Sequence, residues 1–180
     1  MKRQDLEHII RACADIAADD EIVVIGSQSI LGSLENAPEE LTLSNEADVY
    51  PKNHPERWEV IDGAIGEGSP FHDTFGYYAQ GVEEGTATLP EGWKDRLVIL
   101  RTPNTRGAAG LCLELHDLCV SKYVAGREKD RRFVRAAARH QLVEMATLLE
   151  RLIPTPISEE HRARLRELMK LDFRDAQSGS

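Results

Sequence analysis

The sequence predicts an α+β (α/β) protein: a mixed β-sheet flanked by helices, with a helical subdomain at the C-terminus. Three observations predict it. An amphipathic helical pattern leads straight into the β-branched run Ile22-Val23-Val24-Ile25. Short apolar runs between turn signals then recur as far as residue 113. From residue 114 the pattern turns helical and stays so. The expected division is therefore a core over 1–113, a helical subdomain over 114–175 and a disordered tail over 176–180. At 180 residues the chain is long enough to bury a core without disulfide or metal staples.

Residues 4–18 read as the first helix, because Leu6, Ile9, Ile10, Cys13, Ile16 and Ala17 fall on one stripe. Glu21 to Ile25 reads as a strand buried on both faces. Gly26-Ser27 ends it, and Gln28 to Leu34 suits a short helix. Leu41 to Tyr50 is the next expected strand. Its two-residue period puts Thr42, Ser44, Glu46 and Asp48 on one face. Pro51 and Pro55 bracket a turn before a helix over 56–65. Residues 66–76, rich in Gly, Ser, Pro and aromatics, read as a loop. Strands are expected at 77–82, 86–89, 97–101 and 111–113, with Gly92 and Trp93 in a connection and a polar turn over 102–107. Helices follow at about 115–126, 128–139, 141–152 and 158–173, the last opened by Ser158-Glu159-Glu160 after Pro154 and Pro156.

Charge and composition exclude some functions. A net charge of −9 argues against coating nucleic acid through its phosphates, so no stable DNA binding is expected. No apolar run approaches the ~18 residues of a membrane span, and the N-terminus carries no signal-like segment, so a cytoplasmic location is expected. Cys13, Cys112 and Cys119 sit among apolar residues without metal-site spacing and read as buried thiols.

Two features carry candidate chemistry. Gly26-Ser27 follows a buried strand, where a glycine allows close approach of a ligand and a serine hydroxyl can bond a phosphate oxygen. The same pair also suits an ordinary strand-to-helix turn. Glu46-Ala47-Asp48 puts two carboxylates on one strand face with Cβ atoms roughly 7 Å apart. A hard divalent cation can bridge them, or they can be polar residues on a solvated face.

In this order, hydrophobic strand, Gly26-Ser27 and Glu46-x-Asp48, the sequence resembles the nucleotidyltransferase superfamily. The resemblance implies that Gly26 and Ser27 contact nucleotide phosphate and that Glu46 and Asp48 bind Mg²⁺ or Mn²⁺. It implies an NTP as substrate and transfer of its NMP to a hydroxyl on RNA, protein or a small molecule. The stretch from Gln28 to Asn45 is longer than that family's usual gap, and Glu46 stands where the family usually has Asp. The segment from Asp117 through Lys122 to Asp130 looks like the third motif of the AbiEii/MenT-type branch, which contains toxins of bacterial toxin–antitoxin pairs. That likeness implies a phosphate contact for Lys122 and a base or acceptor-orienting role for Asp130. It further implies tRNA or a protein as acceptor and a cognate antitoxin as partner. A structural ion pair of Lys122 with Asp117 or Asp130 is the alternative. Over residues 1–140 the chain also resembles a bacterial family of this fold, including Val24 to Gln28, Glu46 to Pro51 and Gly66 to His72. A non-catalytic nucleotide- or partner-binding protein that keeps the fold is the rival expectation.

Two further stretches stay open. Ser69 to Asp73 with Tyr77-Tyr78 can line a substrate cleft or pack over the sheet edge. Arg131, Arg132, Arg135 and Arg139 can form a basic strip for RNA or a solvated face.

Overall fold

The computed structural model of the protein describes residues 1–178. The chain divides into two compact units: Met1–Thr86 with Arg96–Glu114, and Ala87–Asp95 with the chain from Leu115 onward.

The first unit is a five-stranded mixed sheet with helices. Helix α1 (Arg3–Ala17) buries Leu6, Ile9, Ile10, Cys13 and Ala17, the stripe that helical spacing predicts. It stops at Ala18, whose φ of 50° is left-handed. Strand β1 (Glu21–Val24) follows, with Ile22, Val23 and Val24 all buried. A residue pair can be buried on both strand faces only in the sheet interior, and β1 is indeed central in the order β3-β2-β1-β5-β4.

A 3₁₀ turn, Ser27–Ser29, leads into the four-residue helix α2 (Ile30–Ser33). Strand β2 (Glu46–Pro51) returns antiparallel to β1, with Val24 opposite Val49 and Ile22 opposite Pro51. The expected strand from Leu41 therefore starts five residues too early. A 3₁₀ turn over Glu39–Leu41 precedes it, Leu43 is 72% exposed, and the Ser44 hydroxyl accepts the Glu46 N–H at 3.1 Å. Thr42 and Ser44 thus leave the acidic face to Glu46 and Asp48.

After α3 (Trp58–Ile65), the stretch expected as loop contains a short helix, α4 (Pro70–Phe75). Its signals were local. Ser69 caps it by accepting the His72 N–H at 3.2 Å, Pro70 opens it, and Gly76 closes it at φ 76°. Strand β3 (Tyr78–Gly81) then runs parallel to β2, with Glu46 opposite Tyr78 and Asp48 opposite Gln80. The expected strand over 86–89 does not form; Glu84–Thr86 is a 3₁₀ turn. Strands β4 (Val98–Leu100) and β5 (Ala109–Cys112) pair antiparallel, and β5 lies parallel to β1. Gly110 of β5 makes room for α1, since a Cβ there would fall 2.4 Å from Ile10 Cδ1.

The second unit is helical. It contains α5 (Leu115–Ala125), α6 (Glu128–Arg139), α7 (Met145–Leu152) and α8 (Glu159–Ser178). Gly126, at φ 67°, ends α5. Leu118, Cys119, Val134, Ala137, Leu148, Leu152, Leu165 and Met169 form its core. Ala87–Asp95, expected within the sheet core, groups with these helices, and the Glu91 N–H donates to the Pro154 carbonyl at 3.1 Å. Helix α7 begins four residues later than expected. The tail set apart from residue 176 falls on the end of α8 and on residues 179 and 180, which lie outside the described residues.

Fully buried Asp172 organises one face of this unit. Arg131 and Arg135 reach it at 2.7 and 2.8 Å, and the Tyr123 hydroxyl donates to it at 3.4 Å. Burial by itself would raise the Asp172 carboxyl; the bonds from Arg131 and Arg135 outweigh it and hold the group below the usual carboxylate range. Two of the four arginines of the suggested basic strip are thus engaged with an internal carboxylate.

Candidate functional site

The antiparallel pairing of β1 with β2 brings the end of one to the start of the other. The Ile25 N–H donates to the Asp48 carbonyl at 3.0 Å, which sets the next residue, Gly26, beside Asp48. Gly26 has φ −86° and ψ −171°, extended backbone open to any residue. What demands glycine is space: a Cβ there would lie 1.7 Å from Asp48 Oδ2 and 2.7 Å from its Cγ. Gly26-Ser27 and the acidic strand therefore meet at one place, as the motif order requires. The helix after them is a single turn, so any phosphate contact falls to local N–H groups and the Ser27 hydroxyl, with little help from a helix dipole.

Gln28 joins the two halves a second time. It is fully buried, and its Nε2 donates to the Ser44 carbonyl at 3.1 Å. Its Oε1 and the buried Ser29 hydroxyl have no hydrogen-bond partner among the described residues. Nothing in the sequence singled Gln28 out, because its partner lies across the turn on another element.

Glu46 and Asp48 are both half-buried on the same face of β2. The Tyr78 hydroxyl donates to Glu46 Oε2 at 3.0 Å. Burial first, and then the carboxylates of Glu46, Glu67 and Asp48, push the Tyr78 hydroxyl up to about 12. The tyrosine is a steady donor at neutral pH, and its environment is strongly anionic. On its other side the His72 ring packs against Tyr78 at 4.6 Å between centroids, and the Gly68 N–H donates to His72 Nδ1 at 3.1 Å. The segment from Ser69 to Tyr78 therefore does two things. His72 borders the acidic face through Tyr78. Phe71, Phe75 and Tyr77 cluster around His8 of α1, with ring centroids 4.7–6.0 Å from it.

The donor set suits a hard divalent cation. Mg²⁺ is commonly held by one or two carboxylates with waters and substrate phosphates completing the shell. Glu46 and Asp48 supply two carboxylates, and the space that a Cβ on Gly26 would fill lies against one of them. Among the described residues no group of three or more His, Cys, Asp and Glu side chains could hold a metal, so such a cation would depend on phosphate oxygens and water. A separate cavity of about 620 Å³ lies at the other end of the sheet, lined in part by Arg11, Asp15, Asp19, Asn53, His54 and Arg106. Its Asp19 carboxylate is already filled by N–H groups of Glu21, Asn53 and His54.

Lys122 and Asp130 belong to the helical unit, and they meet there. Lys122 Nζ donates to Asp130 Oδ1 at 3.1 Å and sits 4.6 Å from the Phe133 ring centroid. Arg127 Nε donates to Asp130 Oδ2 at 2.5 Å. Burial by itself would raise the fully buried Asp130; the bonds from Arg127 and Lys122 outweigh it and hold it below the usual carboxylate range. A carboxylate kept ionised by two cations is a weak proton acceptor and a good fixed charge. Asp117, the other suggested partner, is 3.5 Å from Arg151.

A family model described as "Nucleotidyltransferase of unknown function (DUF6036)" matches residues 4–177. No curated protein and no solved structure matches the chain. No helix among the described residues is long and apolar enough to cross a membrane.

Proposed function

We propose, for a chain that belongs to this family of nucleotidyltransferases of unknown function, that Gly26, Ser27, Glu46 and Asp48 form a Mg²⁺-dependent site. It moves a nucleoside monophosphate from an NTP to a hydroxyl acceptor on RNA, protein or a small molecule. One observation carries this: the Gly26 backbone lies against the Asp48 carboxylate so closely that no side chain fits between them. The Gly26-Ser27 turn and the acidic strand thereby meet at a single place, which supports the reading.

In the reaction the acceptor oxygen attacks the α-phosphorus and forms a new O–P bond. The bond from that phosphorus to the oxygen shared with the β-phosphate breaks. Pyrophosphate leaves with the electron pair, and the hydroxyl proton passes to a site carboxylate or to solvent. Ser27 and the backbone beside it orient the phosphates, and Glu46 and Asp48 would hold the cation. A bound Mg²⁺, or Mn²⁺ in its place, supplies charge neutralisation on the phosphoryl oxygens. The remaining catalysis is positioning.

Lys122 and Asp130 are proposed as further contributors from the resemblance of their segment alone, Lys122 toward phosphate and Asp130 as a fixed charge for the acceptor. The same resemblance supports the narrower reading of a toxin that modifies tRNA and is held by an antitoxin. Growth arrest on expression, abolished by Asp48→Ala, would support that narrower reading.

Calorimetry with ATP, GTP, CTP and UTP in Mg²⁺, alongside a pyrophosphate-release assay, tests the proposal. Wild type should bind at least one NTP only when the cation is present, and Asp48→Ala should not. Absence of binding by wild type overturns it. A second reading, nucleotide binding without transfer, is favoured by the two-carboxylate donor set. Tight cation-dependent binding without pyrophosphate release across RNA and protein acceptors would select it.

A further inference from the structure

Glu46 poses a problem that Asp48 does not. Its carboxylate sits at the end of three rotatable bonds, and a ligand that must be ordered as the cation binds gives up part of the binding energy. The structure contains a device that orders it in advance. Tyr78 lies directly opposite Glu46 in the β2–β3 pairing, and its N–H donates to the carbonyl of Asn45 at 2.9 Å. The residue is only 8% exposed, and its ring rests against His72. His72 is fixed in turn, because its Nδ1 accepts the Gly68 N–H and its helix is capped by Ser69. The hydroxyl at the end of this chain of contacts donates to Glu46 Oε2 at 3.0 Å.

Resting on the nucleotidyltransferase reading above, we propose that Tyr78 is the positioning residue of the cation site. Its hydroxyl holds the Glu46 carboxylate in place for the divalent ion, and the Gly68–His72 contact braces the tyrosine. The hydroxyl occupies one oxygen of Glu46 and acts through that carboxylate. Outer groups of this kind orient the ligand and typically change metal affinity by about 10- to 100-fold when removed. The anchor is needed because Glu46 is long. Shortening the side chain removes its reach to the hydroxyl and with it the reason for the anchor.

The test is Mn²⁺ binding in the presence of an α,β-methylene NTP, read from the loss of the free-ion paramagnetic signal. It is run on wild type, Tyr78→Phe, Glu46→Asp and the double variant. Tyr78→Phe should weaken Mn²⁺ about 10- to 100-fold. In the Glu46→Asp background the same change should have no further effect, the non-additivity of two residues acting as one unit. Tyr78→Phe binding Mn²⁺ like wild type, or losses that simply add, overturn the anchor while the nucleotidyltransferase reading stands. Wild type failing to bind Mn²⁺ overturns both. A second readout leaves the tyrosine intact: Mn²⁺ should perturb tyrosine near-UV absorption in wild type and not in Glu46→Asp. An equal perturbation in both also overturns the anchor.

Discussion

Gly26 and Asp48 are twenty-two residues apart in sequence, yet a Cβ on the first would fall 1.7 Å from the carboxylate of the second. The contact follows from the antiparallel return of β2 along β1 and from the bond between Ile25 N–H and the Asp48 carbonyl. Gly26→Ala is therefore expected to push Asp48 out of place. Overpacking of this sort costs about 1–3 kcal/mol, to be read from urea unfolding. Cation-dependent NTP binding should be lost as well. Adding Asp48→Gly should restore stability but not binding, which separates the steric effect from the chemical one.

Removal of the cation is the complementary prediction. With a chelator present, NTP affinity measured by calorimetry should fall to that of Asp48→Ala. If the chelated wild type still binds better than Asp48→Ala, the carboxylate contributes without a metal.

The Lys122–Asp130 pair is buried, and removing one partner exposes the cost of the other. Lys122→Met keeps the aliphatic stem against Phe133 and leaves Asp130 paired with Arg127. An unfolding free energy lower by about 1–3 kcal/mol is expected. If Lys122 also serves the reaction, pyrophosphate release at a temperature where the variant is fully folded will fall further than the folded fraction explains.

Acid should act on the helical unit through Asp130 and Asp172. Both are held below their ordinary value of 3.8 in the folded state. A depressed folded pKa gives stability that is present above the unfolded value and is lost as pH falls through the folded one. Stability should therefore decline below about pH 4. Asp172→Asn should be less stable at neutral pH, by about 1–3 kcal/mol given its half-exposed arginine partners. Its acid limb should be flatter. An unchanged acid limb in chemical denaturation would show that Asp172 does not drive it.

Cys13, Cys112 and Cys119 are all buried, and burial pushes the Cys13 and Cys112 thiols far up, Cys112 to about 12. Thiolate is the reactive form. Ellman's reagent should therefore label none of the three in the native protein and all three in denaturant.

The sequence by itself determined the class of the fold and most of its elements. Helix α1, strand β1 and the four C-terminal helices are written in apolar periodicity, which is local and dense. It also ordered Gly26-Ser27 ahead of Glu46-x-Asp48, enough to carry the resemblance to the family that the chain joins. Where local signals compete, the sequence misled. Thr42 and Ser44 alternate like strand residues, but the turn at Glu39–Leu41 and the bonding of Ser44 end the strand at Glu46. Ser69-Pro70 starts a helix inside a Gly- and aromatic-rich stretch that otherwise reads as loop.

Only the tertiary structure decided which residues share the site. Tyr78 reaches Glu46 because β3 pairs parallel with β2 in one register, and Gln28 reaches Ser44 because the turn folds back over the strand start. Strand pairing and register are set by contacts between distant segments, and no period along the chain encodes them. The need for glycine at position 26 has the same origin: its dihedral angles allow any residue, and only Asp48 forbids one.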